Sequence, residues 1–377
     1  MLLAAVWICS VALHAQTPQP WVIGPFTRPA EGNPVITPRP ESTFMDPILK
    51  KPVQWEALHT FNPAAIVRHG KIYVLYRAED NTGVMEIGGH TSRLGLAESK
   101  DGIHFKRMGE PVFYPADDDQ NAREWPGGVE DPRIVESADG MYVLTYTQWN
   151  RETYSVGIAT SRDLMHWTKY GPAFLNADGG KYAQLKYKHP NDKDPSLGTP
   201  YKSAGIVTEL VKGRLIAAKI NGMYWMYWGE GAIHLATSTD LIHWNPVEYA
   251  NGVAVELLRP RPGRFDSSFP ETGPPPVRTP AGIVVIYNGK NAVGSGDPDL
   301  GPEAYAAGEA LFDAKNPANF LVQTAEPVLK PELPYEKTGQ YAAGTTFAEG
   351  LVYFHKQWFL YYGCADSLVA VATAPGK

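Results

Sequence analysis

The sequence predicts an all-β protein, a five-bladed β-propeller, because one strand-rich unit recurs along the chain. Each unit has a hairpin rich in Tyr, Val and Leu, and three of the units share a turn, apolar-Ala-x-Ser-x-Asp-x-x-His-aromatic. These turns lie at residues 96–105, 158–167 and 235–244, and Asp313 marks a fourth, weaker copy. Helical periodicity is not sustained anywhere, and 36 Gly and 33 Pro punctuate the chain.

Five hairpins in succession indicate one blade each, and in a propeller each blade hides its faces against its neighbours. The hairpins lie at residues 65–76, 133–146, 215–228, 282–287 and 350–362. A chain of 377 residues is long enough for two domains. The uninterrupted repeats favour a single propeller domain over residues 51–377, with the Pro-rich residues 16–50 wrapped over it. Residues 186–200 are predicted to form a polar surface loop.

Residues 1–15 form an apolar run that is too short to span a bilayer and ends in small residues. This pattern predicts a signal peptide, although the run lacks Lys and Arg, and hence export to the periplasm or the exterior. Removal of the leader also removes Cys9, which leaves Cys364 as the only cysteine and excludes an intrachain disulfide. Cys364 is expected to pack in the core.

The charge pattern argues against nucleic acid as a partner, because the net charge is −6 and no basic stripe is present. A membrane span is not predicted, and no oligomeric state follows from the sequence. The histidines show no paired ligand spacing, so neither a metal nor another cofactor is expected. They are His59, His69, His90, His104, His166, His234 and His243. Those in the turns recur with the blades, as packing residues would.

Polar residues gather at the starts of the repeats, where a propeller brings its inner strands around a central funnel. Asp131, Glu230 and Glu271 are bracketed by Gly or Pro, which suggests side chains held in fixed turns. Cleavage of a glycosidic bond needs a carboxylic acid to protonate the leaving oxygen and a carboxylate to activate water or attack carbon. The alternative is that each carboxylate only accepts backbone hydrogen bonds where a blade begins.

Aromatic residues near these turns suit the flat faces of sugar rings. They are Trp125, Trp149, Trp225, Tyr227, Trp228 and Tyr287. The alternative is that these rings wedge neighbouring blades together, because large aromatic residues in a propeller are mostly buried.

In its motifs the chain resembles glycoside hydrolase family 130, whose members are five-bladed propellers that act on β-mannosides as inverting phosphorylases or hydrolases. The resemblance covers nearly the whole mature chain. It is carried by the segments Phe61-Asn62-Pro63-Ala64, Tyr76-Arg77-Ala78-Glu79, Gly128-Val129-Glu130-Asp131-Pro132-Arg133, Gly350-Leu351-Val352-Tyr353 and Tyr361-Tyr362-Gly363-Cys364-Ala365-Asp366.

The resemblance implies that Asp131 is the general acid, in a family where the proton reaches the glycosidic oxygen through a mannose hydroxyl. A second group of residues is expected to bind the substrate. Its members are Asn62, Arg77, Arg93, Arg133, Tyr287, Asn288 and Asp366.

The third hairpin indicates which branch of the family the chain resembles. The phosphorylases hold phosphate with a cluster that includes a His-Arg pair, whereas residues 224–230 here read Tyr-Trp-Met-Tyr-Trp-Gly-Glu. A carboxylate repels phosphate but can activate water. The resemblance therefore implies a β-1,2-mannosidase in which Glu230 or Glu271 is the base, while Lys202 remains on the phosphate side.

The sequence therefore predicts an exported, metal-independent, inverting exo-β-mannosidase that releases mannose from β-1,2-linked mannosides. Two alternatives stay open. One is a β-mannoside phosphorylase that uses inorganic phosphate, against which the predicted export argues. The other is a sugar-binding propeller without catalysis, against which the retained carboxylates Asp131, Glu230 and Glu271 argue.

Overall fold

The computed structural model describes residues 19–174 and 201–376, and nearly all of its regular structure is β-strand. The predicted signal peptide, residues 1–15, and the predicted surface loop, residues 186–200, lie outside these ranges. Within them the only helical elements are one turn of helix, α1 (Asn121–Glu124), and a 3-10 turn (Pro334–Glu336). None of the helices in the described ranges has the length and apolar character needed to cross a membrane.

Five antiparallel meanders follow one another along the chain. The first contains β3 (His59–Arg68), β4 (Lys71–Glu79), β5 (Ser92–Ser99) and β6 (Lys106–Arg107). The second contains β7 (Gly128–Glu136), β8 (Tyr142–Trp149), β9 (Tyr154–Ser161) and β10 (Trp167–Pro172). A short preceding hairpin pairs β1 (Phe44–Asp46) with β2 (Lys51–Val53).

The remaining three meanders are less regular. The third contains β11 (Ala204–Ile206), β14 (Lys219–Ile220), β15 (Met223–Trp228), β16 (His234–Ser238) and β17 (Asn245–Pro246), with the hairpin β12 (Thr208–Val211) and β13 (Arg214–Ala217) beside it. The fourth contains β18 (Phe269–Thr272), β19 (Val277–Thr279), β20 (Gly282–Lys290), β21 (Tyr305–Phe312) and β22 (Phe320–Gln323). The fifth contains β23 (Thr346–Phe354), β24 (Gln357–Cys364) and β25 (Leu368–Pro375).

The hydrophobic core is divided among the faces between successive meanders. Separate apolar clusters join the first meander to the second, the second to the third, the third to the fourth and the fourth to the fifth. A further cluster joins the fifth meander back to the first, since Val74 of β4 packs with Tyr361 of β24. Cys364 is fully buried in the cluster between the fourth and fifth meanders, as the sequence predicts.

The described part of the Pro-rich segment lies along the last strand. Thr27 and Ile36 form backbone bridges to Thr373 and Val369 of β25, and the Asn33 side chain makes two hydrogen bonds to the Val371 backbone. This segment therefore occupies the place of an outer strand beside the three-stranded fifth meander.

The recurring Ser-x-Asp turns have one structure. In each, one aspartate oxygen accepts two backbone N–H groups and the other oxygen contacts the Nδ1 atom of the following histidine, as at Asp101 and His104. Asp163 and Asp240 repeat these contacts. The expectation that the turn histidines pack in the core was wrong, because the His104 side chain is 82% exposed and only closes the turn.

Candidate active site

β-Bulges set the geometry of the candidate site. The pairing of β3, β7 and β23 with the next strand shifts register at equivalent places, around Asn62, Asp131 and Glu349. Asn62 and Asp131 adopt positive φ angles of 44° and 47°, which are costly for residues other than glycine. Bulges redirect side chains out of the normal alternation. Polar side chains therefore leave three first strands at matching positions, as expected from the repeats.

Asp131 is held as an ionised carboxylate. Its Oδ1 accepts hydrogen bonds from Asn62 Nδ2 at 2.8 Å and from Arg77 at 3.1 Å, while Lys202 Nζ lies 4.0 Å from its Oδ2. Burial alone would raise the pKa of Asp131, but the charges of Arg77, Lys202 and Arg133 lower it to about 2. Asp131 therefore carries a negative charge at neutral pH in the substrate-free protein.

Arg77 collects three carboxylates at the first and second meanders. Besides Asp131, its guanidinium contacts Glu79 at 2.7 Å and Glu130 at 2.8 Å. Burial raises the pKa of Glu130 to about 7, and the nearby Asp131 and Glu79 charges add to this against the opposing effect of Arg77. The pKa of Asp366 is also raised to about 7, mainly by burial. At neutral pH each of these two carboxyl groups is therefore protonated part of the time.

Lys202 lies at the centre of a second group of carboxylates, which comes from the third and fourth meanders. Its Nζ is 3.5 Å from Glu230 and 3.6 Å from Glu271, whose backbones form a bridge to each other. Ser203 donates a hydrogen bond to Glu271. Burial and the neighbouring Glu230 raise the pKa of Glu271 to about 7 although Lys202 opposes the shift. The structure therefore brings the three predicted catalytic carboxylates around a single lysine.

Arg133 connects the carboxylate group around Arg77 with the group around Lys202. Its role is structural, and it does not bind sugar. It donates hydrogen bonds to the backbone carbonyls of Asp131, Thr272 and Gly273, and it pairs with Glu349 at 2.9 Å. Its side chain is 1% exposed. The expectation that Arg133 binds substrate is therefore corrected: with its donors directed at buried partners, Arg133 fixes the strand of Asp131 relative to the end of β18, the strand that contains Glu271.

Three other predicted substrate ligands are buried and bonded to protein groups other than Asp131, Glu230 and Glu271. The Arg93 guanidinium is fully buried and pairs with Asp46 and Asp80. The Tyr287 hydroxyl lies in a second buried network with Asp266 and Arg261. Asn288 exchanges two hydrogen bonds with the backbone of Ala348, which ties the fourth meander to the fifth. The expectation that these three bind substrate is corrected, because Arg93 is fully buried in its ion pairs and the Tyr287 hydroxyl and the Asn288 amide are engaged by protein.

Half of the predicted aromatic platform is core. Tyr227, Trp228 and Tyr287 are fully buried, so they wedge meanders together, whereas Trp125, Trp149 and Trp225 are partly exposed. Tyr305, which the sequence analysis missed, lies close enough to Glu230 and Glu271 to feel their charges. Burial raises the pKa of its hydroxyl, and so do the charges of Glu230 and Glu271. Glu79 and Glu349 were missed as well, although Glu79 lies in the quoted segment around Arg77.

Arg133→Met is expected to destabilise the fold by about 3–5 kcal/mol, because it leaves Glu349 and three carbonyl groups buried without their cation. The free energy of unfolding in urea measures the loss. Arg162→Met is the matched control, because Arg162 and its partner Asp139 are each 61% exposed and such a pair contributes little. Equal unfolding midpoints for both variants would contradict the bracing role.

Buried carboxyl groups with raised pKa values suit a glycoside-active enzyme, and comparison with known proteins gives the family. Residues 27–377 match the family model of glycoside hydrolase family 130, described as beta-1,4-mannooligosaccharide phosphorylase. The chain therefore belongs to glycoside hydrolase family 130. This confirms the family resemblance read from the motifs.

Relatives in this family carry both kinds of activity in their names. A 1,2-beta-oligomannan phosphorylase of Thermoanaerobacter sp. (strain X514) is 30% identical over 90% of this chain and 94% of its own. A glycosyl hydrolase structure from Bacteroides ovatus is 50% identical, with a TM-score of 0.88, over 95% of this chain and 96% of its own.

A third relative is 49% identical, with a TM-score of 0.90, over 96% of this chain and 98% of its own. It comes from work on glycoside hydrolases, within this family of mannoside phosphorylases, that target beta-1,2 mannosidic linkages in Candida mannan. The comparisons thus establish that this chain belongs to a family whose named members act on mannosides.

Proposed function

We propose that this protein is an inverting exo-β-1,2-mannosidase that transfers mannose to water, built on a five-bladed β-propeller. The five meanders and the five apolar clusters between them, the last of which returns to the first, support the propeller. Blades of a propeller pack through side chains, so a single closed sheet is not required. The relative that is 49% identical comes from work on hydrolases of β-1,2 linkages, and this similarity supports the proposed reaction.

The observation that carries the proposal is that three carboxylates surround the single cation Lys202. Its one positive charge lies within 4.0 Å of Asp131, Glu230 and Glu271 together. A phosphate dianion beside this lysine would meet two glutamates at close range, and like charges at that separation repel strongly. Water carries no such penalty, and an adjacent glutamate can take its proton.

The spacing of the carboxylates is compatible with inversion. Since Lys202 Nζ is 4.0 Å from Asp131 and 3.5 Å from Glu230, these carboxylate oxygens are at most about 7.5 Å apart. Inverting glycosidases separate their two carboxyl groups by roughly 6.5 to 9.5 Å, which leaves room for water. The upper limit set by Lys202 falls inside this range.

Asp131 can act as general acid only after sugar binding raises its pKa, because the substrate-free protein holds it ionised. The charge of Lys202 is one cause of the low pKa. A mannose unit that displaces Lys202 and water from Asp131 removes part of that stabilisation and favours the protonated form. In the proposal, Asn62 and Arg77 position the acid, and Glu230 or Glu271 activates the water.

Phosphorolysis is the second candidate function. The Thermoanaerobacter relative named as a phosphorylase favours it, and Lys202 is a cation at the place where phosphate would bind. The two functions differ in the acceptor for mannose, so the initial product in phosphate-free buffer separates them. We expect β-1,2-mannobiose to yield free mannose there, with the α-anomer formed first as seen by NMR. No turnover without phosphate, or the β-anomer first, would contradict the proposal.

The value of kcat/KM for mannose release is expected to be level below pH about 7 and to fall about tenfold per pH unit above it. Cleavage requires one protonated and one ionised carboxyl group. The pKa values of Glu130, Glu271 and Asp366 are raised to about 7, so the site loses its shared protons as the pH rises through that value. A pH profile of kcat/KM measures this limb, and a rate that keeps rising above pH 8 would contradict it.

A further inference from the structure

We propose that His59, Glu79 and His90 form a binding site for a divalent transition-metal cation beside the carboxylate centre. One ligand atom from each residue lies within 4.8 Å of the others. His59 begins β3, Glu79 ends β4, and His90 lies in the loop that leads from β4 to β5. Their spacing along the chain matches no metal motif, so the site arises only in the fold, contrary to the sequence expectation.

The donor set defines the class of cation. Two imidazoles and a carboxylate suit Zn²⁺ and its neighbours in the first transition row, whereas Mg²⁺ and Ca²⁺ prefer oxygen ligands alone. Ligand atoms that lie about 2.1 Å from a tetrahedral Zn²⁺ are about 3.4 Å apart. The present separations are up to 4.8 Å, so the side chains must rotate inward by roughly 1 Å to bind the cation.

His90 supplies an independent sign that a ligand is accommodated. The residue is 3% exposed, and its Nδ1 has no hydrogen-bond partner among the residues that the structure describes. A buried polar atom without a partner is costly, and such atoms are rare in folded proteins. A cation bound by this cluster gives the buried imidazole a partner.

His59 is oriented as a metal ligand. Its Nδ1 lies 3.0 Å from Ser367 Oγ, and that hydroxyl is also placed to donate to the Ala365 carbonyl at 3.1 Å. In the tautomer that binds a metal through Nε2, the serine donates to this carbonyl and its oxygen accepts the Nδ1 proton. A hydrogen bond that fixes the tautomer in this way is typical of metal-binding histidines. Burial lowers the pKa of His59, which favours its neutral form.

Glu79 is held in the same manner by groups around it. Arg77 donates to its Oε1 at 2.7 Å and Gln340 to its Oε2 at 3.2 Å. Carboxylate oxygens keep further lone pairs for a cation. Around Arg77 and Lys202 the carboxylates are more numerous than the cations, so an added positive charge is attracted rather than repelled.

This inference goes beyond the proposed hydrolysis, because Asp131, Glu230 and Glu271 are not among the ligands. A bound cation would instead join the start of β3, the end of β4 and the C-terminal end of residues 80–91. That segment exposes three apolar side chains, of Val84, Met85 and Ile87. The cation would thereby fix the segment beside the carboxylate centre.

The test is an isothermal titration calorimetry experiment in which ZnCl₂ is added to the tag-free, EDTA-treated chain. We expect one Zn²⁺ per chain, and binding at least about tenfold weaker in both His90→Ala and His59→Ala. His104→Ala is the matched control, because this exposed turn histidine contacts only its own turn, and it should bind like the wild type.

Visible absorption of the wild-type protein titrated with Co²⁺ reports nitrogen ligation without relying on a variant that has to fold. Bands of tetrahedral Co²⁺ that Zn²⁺ abolishes would support the site. Absence of stoichiometric binding by the wild type, or unchanged affinity in folded His90→Ala, would overturn the proposal. An equal loss in His104→Ala would also overturn it, since that result assigns the binding to surface histidines.

Discussion

Asp131→Asn is expected to lower the kcat for mannose release by roughly 10²–10⁴-fold, the usual contribution of a positioned acid or base. Asparagine keeps the size of the side chain and can still accept from Asn62 and Arg77. It can neither take nor give the proton, so the chemical step fails while the strand geometry persists. Release of mannose from β-1,2-mannobiose, with far-UV circular dichroism on the same sample, measures both.

The control is Asp101→Asn, which makes the same chemical change in a surface turn. Asp101 accepts backbone hydrogen bonds from Ile103 and His104 and contacts no part of the site. It should keep the wild-type rate. A folded Asp131→Asn protein with a rate within threefold of the wild type would remove Asp131 from the chemistry.

Glu230→Gln and Glu271→Gln are expected to show the second large effect, with the variant of the true base losing roughly 10²–10⁴-fold in kcat. Both side chains lie within 3.6 Å of Lys202, which also lies 4.0 Å from Asp131, so either glutamate is a candidate to activate water. The base variant should recover activity when azide is supplied, because azide attacks carbon without losing a proton. Formation of α-mannosyl azide, detected by mass spectrometry and NMR, identifies it.

Glu98→Gln controls for loss of a partly buried, ion-paired glutamate. Glu98 pairs with Lys71 at 2.8 Å on the outer part of the first meander. Its variant should neither slow mannose release nor respond to azide. Unchanged rates in both site variants would show that water is activated by another group, and the proposed chemistry would fail.

The β-class and the order of the strands follow from local sequence. Alternating Tyr, Val and Leu around Gly turns places residues such as Ala65 and Val74 in β3 and β4, and these two residues pair as the hairpin pattern predicts. Asp131 is also found where a repeat begins, at the register shift of β7, and Glu230 and Glu271 form a bridge between two meanders. These features depend on neighbours in sequence, which one chain displays.

The corrected residues depend on contacts between distant parts of the chain. Arg93 lies in β5 and contacts the backbone carbonyl of Thr91 two residues away. Its ion-pair partner Asp46, however, lies in the separate hairpin of β1 and β2. Arg133 reaches the carbonyls of Thr272 and Gly273 in the fourth meander. Local pattern shows that an arginine is present at a strand start, but not which buried acceptors it will meet.

The protonation states could not be predicted from the local sequence either. Asp131 and Glu130 are adjacent, but their pKa values are shifted in opposite directions, to about 2 and about 7. The difference arises because Lys202 and Arg133 act with Arg77 on Asp131, whereas burial dominates at Glu130. Such shifts need the positions of charges from three meanders.

The most direct test of the central claim is the fate of mannose when water and phosphate compete. β-1,2-Mannobiose is incubated with the protein in H₂¹⁸O containing excess inorganic phosphate, and the products are separated and analysed by mass spectrometry. The hydrolase account predicts free mannose carrying ¹⁸O at its anomeric carbon, formed at a rate independent of phosphate. Mannose 1-phosphate that appears only with phosphate, without labelled mannose, would contradict the account.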